Sequence, residues 1–481
     1  MSFVLVSFLI CIATTFLTWI PALAPRPQGI VSLIPTIYEA SKEIFISQGI
    51  GFIIFGFFLY ALLQSQSFQA FFRSRQKWFK KRRFLTIVLV TIFVALLSTG
   101  LSWFDEFIYF YPLLIPLFLS LGFDTFSTFL CLYGGSLAGF FGIISSGRML
   151  KHFNESFSSV KGKVNYTGNF GIGFRMTCWI FFVTITVLFN LWYSSRNSGS
   201  AVPKKDNSPP SPQTPPKFTF ARKAILVIAG IFFLGSILAQ IPFFARKLEA
   251  PVQKIPPHIS SDFETTHYTE VGKIGEEMEI AKVETKKESY WGTFGNWGVR
   301  ALDCWFLVGG IIICLVAKLN FFKTLIKAAQ KTLPLILVNY VLTYVPVFIL
   351  QKSGMTGRLT TLLSSAEVQK NIKYVALFSV FGLSLIISWL INNTWFAVAV
   401  VSILAPTLLN ISESTLLYAA LFAWIGHIVG IAYSPNNGIL VESLEKSQTT
   451  YRQFLKKTWR LGVVTLLATL MLVLFWSKFI I

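Results

Sequence analysis

The apolar residues of this chain fall in long blocks, without the period-2 or period-3.6 alternation of half-buried elements, and this is the pattern of segments that face lipid. Blocks near 2–21, 47–66, 84–103, 107–122, 125–145, 172–193, 223–244, 301–318, 333–350, 374–391, 394–410, 415–433 and 460–480 are candidate spanning or membrane-embedded helices. Several fall short of the roughly 20 residues that a helix needs to cross about 30 Å of hydrocarbon. The short blocks predict broken helices or re-entrant hairpins. The fold class is an all-α polytopic protein of the cell (inner) membrane, with the lipid bilayer as its first partner. The block from Phe3 to Ile20 lacks a charged leader region and a small-residue cleavage site, so it reads as a retained membrane helix.

The polar intervals give orientation and organisation. Arg73 to Arg83 is the densest basic run, and Arg196 to Lys223 and Lys318 to Lys331 are also net positive, which predicts that all three are cytoplasmic. Glu249 to Tyr290 is acidic and hydrophilic and lies one span further on, so it is expected outside. The Pro-rich stretch Ser198 to Lys217 reads as a disordered linker. The predicted division is a first transmembrane repeat over 1–197, a cytoplasmic linker over 198–222, and a second repeat over 223–481 with an extracytoplasmic acidic loop at 249–297.

The two halves share a plan. In the first, Pro112 and Pro116 interrupt an apolar block, Asp124 follows, and a helix bearing Gly134, Gly135, Gly139 and Gly142 runs to Ser145-Ser146-Gly147. In the second, Pro406 interrupts a block, Glu413 follows, and a helix bearing Gly426 and Gly430 runs to Ser434-Pro435-Asn436-Asn437-Gly438, with Asp124 to Ser145 and Glu413 to Ser434 equally spaced. Upstream, Ser102-Trp103 before Asp105-Glu106 matches Ser388-Trp389 before Asn392-Asn393-Thr394. Repeats of interrupted helices are how secondary transporters build a midplane site, because unwound backbone at membrane depth must be buried in protein or line a cavity.

Composition narrows the chemistry. Only 13% of residues are charged, so the net charge of +21 sits in short connections where it sets topology, and no soluble domain is left to bind nucleic acid. The five cysteines lie in apolar stretches without a CxxC, which argues against a disulfide framework or a metal site. An enzyme acting on a lipid-linked substrate would need a clustered acid/base or metal set, yet there are four histidines and two of them, His258 and His267, lie in the acidic loop. A transport-inactive scaffold or receptor is the remaining rival.

Ionisable groups inside a membrane are costly, so a carboxylate kept among apolar blocks is a site candidate. Asp105 and Glu106 meet that description. Asn392, Asn393 and Thr394, together with Ser434, Asn436 and Asn437, are neutral breaks whose amides, hydroxyls and freed carbonyls suit Na+ or a zwitterion. Ser145 and Ser146 occupy the matching break of the first half. His427 and Asp124 are candidates for ion coupling, His427 because imidazole titrates near neutrality.

Several of these runs resemble a known family. Asp105-Glu106-Phe107-Ile108-Tyr109-Phe110-Tyr111-Pro112, continuing through Pro116 to Leu121-Gly122-Phe123-Asp124, is similar to a block of the YfcC-like permeases, relatives of the C4-dicarboxylate carrier DcuC. Thr18-Trp19-Ile20-Pro21, Gly171-Ile172-Gly173-Phe174-Arg175, Leu404-Ala405-Pro406 and Ser434 to Leu440 match in order and spacing. The resemblance implies an ion-transporter-superfamily fold of two inverted repeats with broken helices and re-entrant hairpins, an elevator-type motion, and a homodimer. It implies a small-molecule substrate, with amino acids first, including arginine–ornithine exchange, and small carboxylates or C4-dicarboxylates as the alternative. No cofactor is implied beyond Na+ or H+ as coupling ion. The chain departs from the family at Ser145-Ser146-Gly147-Arg148 and at Asn392 to Phe396, where Trp395 and Phe396 are bulky in place of small residues.

Overall fold

The computed structural model describes residues 2–101, 103–142, 170–197, 217–239, 297, 299–336, 340–355, 358, 373–392, 400–401, 404, 408 and 412–480, and every regular element among them is helical. Helices α1 (Ser2–Leu17), α2 (Leu33–Ile44), α3 (Ile50–Gln64), α4 (Ser67–Ser74), α5 (Gln76–Lys81) and α6 (Arg83–Leu101) precede a 3-10 segment, Asp105–Phe110. There follow α7 (Tyr111–Ser120), α8 (Thr125–Phe129), a π turn at Leu130–Gly134, α9 (Gly135–Phe140), α10 (Ile172–Asn197) and α11 (Phe220–Leu238). The remainder is α12 (Val299–Ala317), α13 (Phe321–Ile336), α14 (Leu342–Lys352), α15 (Lys373–Ile391), α16 (Glu413–Ala432), α17 (Gly438–Lys446) and α18 (Tyr451–Ile480).

Among the described residues six helices are long and apolar enough to cross a bilayer, namely α6, α10, α11, α12, α16 and α18, and α3 with α4 adds a seventh crossing if that pair, bent by 50°, is one broken span. The protein is therefore an all-α, multi-pass membrane protein.

Apolar residues all round a helix carry no information about which face packs, so contacts are set by shape. Around α3, the rings of Phe55 and Phe58 meet Trp103, Phe232, Phe233 and Phe306, with Phe55 and Phe306 edge to face at 5.0 Å. This arrangement, favoured by the ring quadrupole, binds α11 and α12 to α3. A smaller cluster of Cys11, Leu33, Ala40, Val341, Val345 and Ile349 joins α1, α2 and α14.

Among the described residues the most extensive helix–helix interface, α15 on α16, is made by glycine, and so is α6 on α9. A methyl group at Gly139 would meet Ala95 O and Ser98 Cβ, and one at Gly135 would lie 3.1 Å from Thr91 O. In the other pair a methyl at Gly426 would meet Phe381 O, and one at Gly430 would meet Leu385 O, with Ser388 Cβ at 2.9 Å. Glycines four apart thus face three partner residues spaced by four and three in both pairs. The cross-links match as well: Ser98 Oγ donates to Ser136 O at 2.7 Å, and Ser388 Oγ lies 2.8 Å from His427 Nδ1. Without a hydrophobic drive between helices in lipid, such close small-residue approach and interhelical hydrogen bonding supply the attraction.

Several local expectations are adjusted by this packing. Against the glycine-bearing helix, Ser388 takes the packing position that Ser98 takes in the other pair. The helix N-cap matching Asp124 is Ser412, which accepts from Thr415 N–H at 3.1 Å, while Glu413 is exposed. The basic segment Lys318 to Lys331 is mostly helix α13 and not a loop, because Thr324, Ala328 and Thr332 repeat every four residues and give it a face to bury. Helix α11 starts at Phe220, inside the expected linker, where Arg222 reaches Lys217 O at 2.5 Å and Ser65 O at 3.4 Å. The rest of the linker and, apart from Trp297, the acidic loop lie outside the described residues.

Replacing Gly139 or Gly430 with leucine is expected to cost about 1–3 kcal/mol by overpacking. Thermal unfolding of purified protein checks this, with Gly173→Ala, whose surroundings hold nothing within 4 Å, as the unperturbed control.

Candidate functional site

A cavity of about 530 Å³ opens between α3, the 3-10 segment, α13 and α17. Its polar lining is Tyr60 from α3, Tyr109 from the 3-10 segment, Gln330 and Lys331 from α13, and Glu442 and Lys446 from α17. Glu442 and Lys446 form an i,i+4 ion pair at 2.8 Å, and Lys331 Nζ stands 4.8 Å from the centroid of the Tyr60 ring. With two lysines against one carboxylate the lining is net positive. Pro334, also in the wall, has no N–H, so the Gln330 carbonyl one turn back loses its usual helical partner beside the cavity.

The first polar break supplies one wall. After Leu101 the chain leaves the helix and re-enters as the 3-10 segment, and Glu106, 4% exposed, accepts the freed Phe104 N–H at 3.2 Å. Asp105 accepts a hydrogen bond from the Tyr340 hydroxyl beside α14. Tyr109 donates to Thr332 Oγ1 at 2.8 Å and so ties this break to α13. Asp105 and Glu106 therefore flank the cavity and hold its wall; the residues that line it from this segment are Ile108 and Tyr109.

The second break supplies the opposite wall. Asn437, fully buried, caps α17 by accepting from Ile439 and Leu440 N–H at 3.0 and 3.2 Å, and its amide donates to Ile431 O at 3.0 Å and to the Tyr133 hydroxyl at 3.1 Å. Ser434 donates to Trp389 O at 2.6 Å. Asn436 donates to Leu390 O at 3.0 Å and accepts from Ser7 Oγ at 2.6 Å. Here the side-chain groups expected to meet a solute are spent on the backbone that the break frees, and Gly438, the first residue beyond them, reaches the cavity.

The remaining candidates lie elsewhere. Asp124 caps α8, accepting from Ser127 N–H and Oγ at 2.9 and 2.6 Å and from the Tyr193 hydroxyl at 2.8 Å. His427 is buried in the α15–α16 interface, with the Trp424 ring 5.7 Å away. Neither lines the cavity. Asn392 is half-buried after the end of α15, and Ser145, Ser146, Asn393 and Thr394 lie outside the described residues.

Sequence reasoning passed over Tyr60, Gln330, Lys331, Glu442 and Lys446. Two signals pointed to them: lysines at 323, 327 and 331, one per turn, and the i,i+4 pair Glu442/Lys446 directly after the Asn437 break.

A family model, C4-dicarboxylate anaerobic carrier (DcuC), matches residues 8–241, just under half of the chain. This bears out the resemblance read from Asp105 to Asp124. The fold is similar to that of a crystal structure, the YdaH transporter of Alcanivorax borkumensis, described as having an unusual topology, with a TM-score of 0.54 and 16% identity over 99% of this chain and 98% of that one. No curated protein matches the chain. The chain is thus a multi-pass membrane protein whose family match and fold are those of transporters.

Asn437→Ala removes a cap and leaves buried N–H groups unpaired, and is expected to cost about 1–3 kcal/mol. Tyr133→Phe, which loses one of these bonds, should cost less. Melting temperatures of the purified variants check the order.

Proposed function

We propose that this relative of the C4-dicarboxylate carriers moves a small dicarboxylate through the cavity between α3, α13 and α17. The observation that carries the reading is Lys331, which lines the cavity while Lys446 is paired with Glu442, in a space lined otherwise by tyrosines, Gln330 and apolar side chains. Arg and Lys side chains recognise carboxylates by charge-assisted hydrogen bonds, roughly twice as strong as neutral ones. A lysine in the cavity wall offers a substrate carboxylate such a partner, so the carboxylate alternative is preferred to the amino-acid reading. What the matching family's description names, a C4-dicarboxylate, supports the same choice.

The transport cycle proposed is secondary, driven by Na+ or H+ or by exchange. The paired glycine interfaces, α6 on α9 and α15 on α16, support a reading of the chain as two structural repeats, inverted as in elevator-type carriers and acting as a homodimer. In that cycle Asp105, Glu106, Ser434, Asn436 and Asn437 keep the two breaks in shape around the solute, and Lys331 is the group proposed to meet it. Ser145, Ser146, Asn392, Asn393 and Thr394 are kept as candidates for the solute or coupling ion, with Asp124 and His427 for coupling.

Purified protein in liposomes is expected to take up radiolabelled succinate or fumarate under a Na+ or H+ gradient, and arginine or ornithine poorly or not at all. Lys331→Gln should raise the KM for the dicarboxylate about tenfold, the loss of one charge-assisted contact. Uptake of arginine in preference to succinate would reverse the choice between the two substrates.

A further inference from the structure

Helix α13 carries Lys323, Lys327 and Lys331 one per turn, and only Lys331 is accounted for by the cavity. A helix of this composition can lie flat on the membrane surface with its lysines in water. Its contacts exclude this. Thr324 Oγ1 donates to Gln64 Oε1 at the end of α3, at 3.3 Å; a methyl at Gly56 would sit 2.9 Å from Thr332; and one at Gly49, just before α3, would sit 3.6 Å from Ile336. The two helices run antiparallel over their whole length, so α13 traverses the depth that the apolar helix α3 occupies.

Winding α13 at 3.6 residues per turn divides it into three sectors. Thr324, Ala328, Thr332 and Ile336 form the buried sector against α3. Phe322 and Ile326, 71% and 56% exposed, form an apolar sector suited to lipid. Between them lie Lys323, Lys327, Gln330, Lys331 and Pro334, and the last three of these line the cavity. Lys323 and Lys327, both exposed, continue the same wall toward the end of α3 that leads into the basic run Arg73 to Arg83. A lysine at membrane depth is costly where it faces lipid and is tolerated where it faces a water-filled space.

We propose that Lys323 and Lys327 form a water-filled cationic track, about 12 Å from Lys323 to Lys331 along the helix, by which small anions pass between the cytoplasmic surface and the cavity. The proposal rests on reading the cavity as an anion site. Successive lysines attract an anion without holding it, each step handing it to the next, and focusing between low-dielectric walls raises its local concentration. The track sets the apparent affinity and the on-rate from that side, while Lys331 belongs to the binding site itself.

The test uses the full chain in membranes, with Lys327→Cys introduced into a Cys304→Ser background to remove the exposed native thiol. Two membrane-impermeant thiosulfonates are compared, the anionic sulfonatoethyl and the cationic trimethylammonioethyl reagent. In a cationic track the anionic reagent gains at least about tenfold over the cationic one, relative to their ratio at free cysteine. Equal rates, or labelling by lipophilic maleimide only, would overturn the track. In transport, the double variant Lys323→Gln/Lys327→Gln is expected to raise the dicarboxylate KM several-fold with kcat kept, and the difference from the unaltered chain should shrink as salt screens the track. A kcat loss at unchanged KM would also count against it. Should the unaltered chain move no dicarboxylate, the reading of the cavity fails, and the reagent ratio still decides whether the track exists.

Discussion

A helix that breaks inside a bilayer releases N–H and C=O groups that water cannot reach, and each one left unpaired costs free energy. Asn437 answers most of that demand at the second break. One side chain accepts from two N–H groups of α17 and donates to a carbonyl of α16 and a tyrosine of the first half. Ser434 and Asn436 hold the end of α15 to the same break, and Ser7 brings α1 to it across 429 residues of sequence. The cavity exists because these bonds let the chain turn away from a helix at that depth. Glu106 does the same on the other side with one backbone N–H.

Around this fixed point the helices are packed by two devices. Aromatic rings fill the space between α3, α11 and α12, and glycines bring α6 to α9 and α15 to α16 at backbone distance. The cavity lies where α3 and α13 face the breaks, between the aromatic-packed helices and the glycine-packed ones. Tyr109 to Thr332 and Tyr340 to Asp105 tie the first break to the helices on the far side of the cavity.

The positions of the breaks were legible because proline, adjacent carboxylates and the Ser-Pro-Asn-Asn-Gly run stand out against apolar sequence. Their role was not. An asparagine that caps a helix and one that ligates a solute look alike in sequence, and Asn437 is the first because its lone pairs are met by its own chain. Asp124 likewise reads as an isolated membrane carboxylate until Ser127 and Tyr193 close on it. Lys331 is the opposite case: a basic run between apolar blocks resembles a loop, and only the burial of Thr324, Ala328 and Thr332 against α3 shows it to be a helix with a polar face.

The sequence by itself determined that the chain lives in a membrane, where its polar breaks fall, and which permeases it resembles, because length of apolar block, proline and charge act locally and leave a local mark. The tertiary structure alone decided which polar groups are spent on backbone and which face a cavity. That choice depends on the distance between residues hundreds of positions apart, such as Asn437 and Tyr133, or Tyr109 and Thr332, and in a chain apolar on every face no sequence period records which sides of two helices will meet.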